Sequence, residues 1–334
     1  MRAMVLQQSA PIETSPLLAR DLNPPVPGPR EVRIRVTACA LCRTDLHVIE
    51  ADLPPITRPL IPGHQIVGTV DQLGPDCSRL RLGQRIGIAW LASTDNTCAY
   101  CRRGRENLCP NSHYTGYHRD GGYAKFATVL EDYAYDLPAD LGSDAEVSPL
   151  LCAGIIGYRA YKRAAVPPDG TLLMVGFGSS AHIVLPIALH NGQRVSVITR
   201  SPSHQQLARA MGAAWAGDDF SDLPQKPDAA ICFAPSGKLV PPIMESLASG
   251  SVLALAGIVM SDVPALDYQR HLFHDKEIRS VESNTRADGK ELLDQAAAAN
   301  VKPRINSYPL EDANRALLEM KQSRIDGTGV LLIP

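Results

Sequence analysis

At 334 residues the chain is too long for one small core and comfortable for two domains. Apolar residues make up 45% and charged residues 20%, the balance of an ordinary water-soluble globule. A net charge of -2 gives no electrostatic reason to expect nucleic acid or an anionic membrane as partner, and no apolar run approaches the length of a membrane span.

The opening residues, Met1 to Leu6, turn polar at Gln7 and Gln8, so no signal peptide is expected. Eight cysteines without a secretion signal read as thiols or metal ligands rather than disulfides, and the expected compartment is the cytoplasm. Pro24, Pro25, Pro27, Gly28 and Pro29 make a stiff turn before Val32, Ile34 and Val36, which alternate with charged residues and predict a half-buried strand. Further short strands are predicted at Ile66–Val70, Arg85–Ala89 and Tyr123–Val129. From Ser143, a suitable N-cap, a helix is predicted to run towards Ala165, where Pro167-Pro168 stops it.

From Thr171 the texture changes to alternating strands and helices. Thr171–Val175, Val195–Thr199, Asp228–Ala234 and Ser251–Ala256 read as strands, with helices over Ala181–Asn191 and Ser203–Met211. That alternation predicts a parallel sheet covered by helices on both faces. Helices over Asp288–Ala299 and Leu310–Gln322, and a strand near Val330, complete the chain.

Gly176-Phe177-Gly178-Ser179-Ser180-Ala181 follows a strand and opens a helix. Gly176 permits a tight turn, Gly178 lets backbone approach a pyrophosphate, and Ala181 is small enough for close helix–strand packing. Phosphates would rest on the helix N-terminus, where free N–H groups and the dipole favour anions. The glycine pattern alone is weak, but the flanking strand and helix favour a dinucleotide site. The next strand ends at Thr199-Arg200-Ser201, where NAD sites usually carry an acidic residue for the ribose 2′-hydroxyl. Here no carboxylate repels a 2′-phosphate, and Arg200 and Ser201 could bind one, so NADP(H) is favoured over NAD(H). The plainer alternative is that Ser201-Pro202 caps the next helix and Arg200 is solvated.

Cys39-Ala40-Leu41-Cys42-Arg43-Thr44-Asp45-Leu46-His47 precedes Gly63-His64-Gln65-Ile66-Val67-Gly68. By spacing alone Cys39 and Cys42 look like half a zinc ribbon, but the next cysteine cluster lies far off, near residue 100. With the cysteine lobe, Leu150-Leu151-Cys152-Ala153-Gly154 and the glycine turn in this order, nearly the whole chain resembles the zinc-dependent alcohol dehydrogenases of the medium-chain dehydrogenase/reductase superfamily. The resemblance implies an α/β fold: a GroES-like β-rich catalytic domain, residues 1–152 and 259–334, around a doubly wound Rossmann domain, residues 153–258. It implies catalytic zinc on Cys42, His64 and Cys152. Two thiolates balance the dication, and an open fourth position admits the substrate oxygen to a Lewis acid. Thr44 and His47 resemble the family's proton relay, running through the nicotinamide ribose. Asp45 would fix the His64 tautomer, and Arg43 would meet the pyrophosphate. Cys39, Cys77 and Cys232 are read as bystanders.

Two departures stand out. The family usually has Glu where Gln65 stands, and a Gly-Arg pair where Gly327-Thr328 stands. The family's Glu and Arg form an ion pair near the zinc, and losing both avoids the buried unpaired charge that losing one would leave. The lobe is also altered. The family's C-x2-C-x2-C-x7-C is here Asp95, Cys98, Cys101 and Cys109, and a carboxylate is an accepted zinc ligand, which implies a structural zinc. An empty, reduced lobe is the alternative. Leu53, Trp90 and Leu91 match positions lining the family's substrate cleft, though a tryptophan followed by leucine is equally good core material. Ala234, Ala256 and Gly257, ending later strands, would lie beside the nicotinamide. The expected partner is a small alcohol or aldehyde, and related bacterial enzymes are homo-oligomers, dimers or tetramers. Two rival readings remain: a zinc-free enone or quinone reductase of the same superfamily, opposed by Cys42, His64 and Cys152, and a non-catalytic dinucleotide-binding protein, opposed by Thr44 and His47.

Overall fold

The computed structural model describes residues 1–54 and 58–334. It divides into two compact units, Met1–Ala153 with Ser283–Leu293 and Lys302–Pro334, and Gly154–Glu282 with Asp294–Val301.

The first unit is built on a seven-stranded sheet. Six strands lie in the order Ile305–Pro309, Thr328–Leu332, Glu31–Ala40, Gln65–Leu73, Arg85–Ile88 and Ala134–Asp136, and Phe126–Leu130 also pairs with Glu31–Ala40. The alternation seen in sequence sets the faces of the long strand. Val32, Ile34 and Val36 are fully buried in a core with Leu6, Ile66, Ile86 and Ile88. On the other face Arg33 pairs with Asp71 at 2.9 Å and lies over the Phe126 ring. The antiparallel register sets Ala40 opposite Gln65, so the segments that continue into Cys42 and His64 emerge side by side.

The second unit holds six parallel strands in the order Trp215–Gly217, Arg194–Ile198, Thr171–Val175, Ala229–Cys232, Val252–Leu255 and Glu277–Ser280. This is the doubly wound order, in which the chain reverses direction beside its first strand. Leu172 and Met174 enter one apolar cluster and Leu173 and Val175 another, so both faces of the sheet are covered.

Two expectations need correction. The helix expected from Ser143 towards Ala165 is broken into a capped turn Asp144–Val147, a 3-10 turn Ser148–Leu151 and a helix Ala153–Ala164. Cys152 sits at the break with φ -142° and ψ -64°, which turns its side chain out of the helical path. The sheet also runs past residue 258: Glu277–Ser280 is its last strand, and the units divide after Glu282. That strand is short and carries Glu277, Arg279 and Ser280 at a sheet edge, so it offers no apolar run to recognise. Among the described residues, no helix is long and apolar enough to cross a membrane.

Candidate active site

The site begins with a helix cap. Cys42 is the N-cap of the helix Arg43–Ile49, its sulfur accepting from the Thr44 N–H at 3.5 Å. Asp45 completes a capping box by accepting from the Cys42 N–H at 2.8 Å. The same carboxylate does more than cap. Its Oδ1 lies 2.9 Å from His64 Nδ1, and its Oδ2 accepts from the Tyr123 hydroxyl at 2.9 Å. Asp45, His64 and Tyr123 are all at most 1% exposed. The bond at Nδ1 fixes the ring and leaves Nε2 as the outward nitrogen. Among the described residues, that buried Nε2 has no hydrogen-bond partner.

The Cys42 and Cys152 sulfurs and a His64 ring nitrogen all lie within 4.8 Å of one another. The electrostatics of the trio favour positive charge at its centre. The Cys42 thiol is held well below its ordinary value, chiefly by a hydrogen bond from Cys152, against burial, with His64 assisting. Cys152 is pushed well above its ordinary value by the adjacent Cys42 and by burial. Burial opposes a charged His64, but the Asp45 carboxylate outweighs it and, with Cys42, lifts the imidazole to about 10. Two sulfurs competing for a proton beside an imidazole that attracts charge make a donor set suited to a divalent cation, which allows both sulfurs to ionise. The residues present fit zinc.

Around this trio Thr44 Oγ1 lies 3.5 Å from the Cys42 sulfur. His47 follows Thr44 by three residues on the same helix face, and its Nδ1 meets Asp52 at 2.8 Å. Arg43 is exposed at the helix start. Trp90 packs edge-on against the His64 ring at 4.9 Å and stacks on Tyr114 at 4.8 Å and Tyr117 at 6.1 Å. Leu53 joins this apolar group, together with Val48 and Leu60. Leu91 does not: alternation sends it to the opposite side, where it is buried in the main core. Cys39 is buried in that core too, its thiol pushed up by burial, outside the trio of Cys42, His64 and Cys152.

The cysteine lobe forms a second cluster, with ligand atoms of Asp95, Cys98, Cys101 and Cys109 within 4.8 Å of one another. Cys98 caps the short helix Ala99–Arg102 through its sulfur. Asp95 accepts from the Thr97 and Cys98 N–H groups, both at 2.9 Å, and from Asn111 at 3.0 Å. Those donors, the Cys98 N–H first, hold its carboxyl well below the usual range, so it is an anion facing three sulfurs. Burial first, then the neighbouring Cys98, Cys109 and Asp95, push the Cys101 thiol up to about 11.

In the second unit, Gly176 has φ +91°, a conformation that favours glycine, and Gly178 caps the helix Ser179–His190 with open space where a Cβ would stand. Ser179 and Ser180 open that helix half-buried, whereas the Phe177 side chain is buried in the core, leaving only its backbone for a ligand. Thr199 is buried, Arg200 is exposed, and Ser201 caps the helix Pro202–Ala210 by accepting from His204. Ala234, Ala256 and Gly257 are half-buried beyond the ends of neighbouring strands.

Four participants were not singled out from sequence: Tyr123, Asp52, Tyr114 and Tyr117. Tyr123 had one local sign, the Gly121-Gly122 pair before it. A Cβ at Gly121 would stand 1.9 Å from the Gly63 carbonyl oxygen, so the glycine lets the Tyr123 segment approach His64.

Residues 28–139 match the family model of the alcohol dehydrogenase GroES-like domain. The chain is 48% identical over 339 residues to "Probable alcohol dehydrogenase AdhA" of Mycobacterium tuberculosis, covering 100% of this chain and 97% of that protein. The chain belongs to the zinc-type alcohol dehydrogenase family of the medium-chain dehydrogenases/reductases. An alcohol dehydrogenase of Geobacillus stearothermophilus is 33% identical over 310 residues, covering 90% of this chain and 91% of its own. The crystal structure of AibC superposes with a TM-score of 0.90 at 25% identity, covering 100% of this chain and 96% of that one. This member is thus an alcohol dehydrogenase of GroES-like and Rossmann-type architecture that acts on a small molecule.

Proposed function

We propose that this dehydrogenase is zinc-dependent and interconverts primary or secondary alcohols with their aldehydes or ketones, using NADP(H) in preference to NAD(H). The observation that carries the proposal is the buried Nε2 of His64, without a partner among the described residues, beside the sulfurs of Cys42 and Cys152. These three side chains would hold the zinc, which supplies Lewis acidity to the substrate oxygen when bound. The nicotinamide cofactor supplies or accepts the hydride.

The chain's own groups supply the rest. Thr44 Oγ1 accepts the hydroxyl proton of an alcohol as it gives up its own towards His47, or runs the same exchange in reverse to a forming alcohol. His47, steadied by Asp52, exchanges that proton with solvent. The Trp90, Tyr114, Tyr117 and Leu53 surfaces hold an apolar substrate chain beside His64 and keep water from it. Asp45 holds the His64 tautomer. In the second unit the backbone from Gly176 to Ser180 cradles the pyrophosphate, and Ala234, Ala256 and Gly257 flank the nicotinamide. The setting is a cytoplasmic homo-oligomer.

The preference for NADP(H) rests on Thr199, Arg200 and Ser201, with no carboxylate at the strand end. Since Arg200 is exposed, its contact with a 2′-phosphate is worth roughly 1.5 kcal/mol. Arg200→Ala should therefore lower kcat/KM for NADPH about tenfold and leave that for NADH nearly unchanged. Equal losses with both cofactors would remove the 2′-phosphate reading.

Asp95, Cys98, Cys101 and Cys109 hold a second, structural zinc. Asp95→Asn keeps an oxygen for the Thr97 and Cys98 N–H groups but removes the charge. Zinc should fall from two ions per chain, one for each cluster, to one, with the lobe becoming protease-sensitive. Undiminished zinc content in that variant would count against the site.

The whole reading is tested by measuring metal content and NADPH oxidation over a panel of aldehydes before and after chelation. Turnover that disappears with zinc and returns with it is expected. Turnover that survives complete metal removal would favour the zinc-free reductase instead.

A further inference from the structure

Gln65 follows His64 and has no exposed surface. Its amide spans two backbone groups: Nε2 donates to the Leu41 carbonyl at 2.9 Å, and Oε1 accepts from the Ala153 N–H at 3.1 Å. Leu41 immediately precedes Cys42, and Ala153 immediately follows Cys152. We infer that Gln65 is a positioning residue, a clamp that ties the segments bearing Cys42, His64 and Cys152 into one metal-binding geometry. The inference rests on the reading of those three side chains as zinc ligands.

Each end of the clamp meets a backbone group left over by secondary structure. Ala153 opens the helix Ala153–Ala164, and the first N–H groups of a helix have no partner within it. Gln65 therefore acts as a cap supplied from another strand. Leu41 lies one residue beyond the strand Glu31–Ala40; its N–H reaches Gly329 at 2.8 Å, and its carbonyl is taken by Gln65. Cys152 itself sits at a break between a 3-10 turn and a helix, with no regular structure of its own to aim it. The Gln65 bond holds the residue next to it. Because one partner is a donor and the other an acceptor, a neutral amide serves both ends where an ionised carboxylate does not. A carboxylate would present oxygen to the Leu41 oxygen. This explains on local grounds why the position holds glutamine, and why no cation is needed at Thr328 to balance it.

The test uses the zinc-loaded protein and two readouts independent of turnover: chelator-driven zinc release and hydrogen exchange at the Ala153 amide. The release phase that vanishes in Cys42→Ala defines the catalytic-site ion. If no phase vanishes, the zinc reading itself fails, separately from the clamp. Gln65→Met, similar in volume but unable to bridge the two groups, should accelerate that phase about 10- to 100-fold and speed Ala153 exchange, leaving the lobe phase unchanged. Unchanged release and exchange, even with a lowered melting temperature, would overturn the clamp and leave Gln65 as packing alone. Should Gln65→Met not accumulate as folded protein, Gln65→Asn is read the same way. Its amide is one methylene too short to reach both groups, and wild-type release rates there would overturn the proposal equally.

Discussion

Replacing His64 by alanine should lower kcat/KM at least about 10³-fold and remove one zinc ion per chain, because a Lewis acid is worth several kcal/mol of transition-state stabilisation. His64 is the only member of the trio with no surface exposure, and it is the one fixed from behind: Asp45 holds Nδ1 at 2.9 Å, and Tyr123 and the Cys42 N–H hold Asp45. Two sulfurs alone would remain, too few donors for a tight tetrahedral site. The Asp45 carboxylate would also lose its imidazole partner while staying buried, a further destabilisation of about 3 kcal/mol. Zinc analysis, steady-state kinetics and urea unfolding together separate the two effects. A variant that stays folded, keeps both zinc ions and turns over within tenfold of wild type would remove the imidazole from the site.

Much of this site was legible in the chain because its chemistry is written in rare residues. Cys42, His64 and Cys152 are distant in sequence, yet each stands in a short motif, and the structure brings their ligand atoms together. The same is true of Asp95, whose place in the cysteine spacing marked it without a cysteine's help. What escaped was set by tertiary contact. Tyr123 looks like an ordinary aromatic residue opening a strand; its bond to Asp45 depends on a chain approach of which the Gly121-Gly122 pair is the one local sign. The predicted helix through Cys152 had an N-cap at Ser143 and a proline stop, but the chain forms a 3-10 turn from Ser148-Pro149 to Leu151 and breaks at Cys152. Trp90 and Leu91 were read as a pair, although neighbours in an extended segment face opposite ways. Gln65 was visible as a departure from a family pattern, and its two backbone partners only became evident in three dimensions.

Gly63→Ala should cost about 4 kcal/mol of stability. Two penalties combine. Gly63 has φ +94°, where a residue with a Cβ is strained by about 1–3 kcal/mol. The added methyl would also lie 2.3 Å and 2.6 Å from two ring carbons of Tyr123 and 2.9 Å from the Cys39 sulfur. Neither neighbour can retreat cheaply. Tyr123 is fully buried and bonded to Asp45, and Cys39 lies in the strand Glu31–Ala40, paired on both sides. Overpacking of this kind typically costs about 1–3 kcal/mol more, and at roughly 2–4 °C per kcal/mol the melting temperature should fall by about 10 °C. Because the ring pushed aside is the one that holds Asp45, and Asp45 holds His64, zinc release should accelerate along with unfolding. Gly104→Ala is the matched control, since that glycine also has positive φ, +66°, but open space around its Cβ position. A Gly63 variant no less stable than that control would show that the Tyr123 ring does not press on His64's turn.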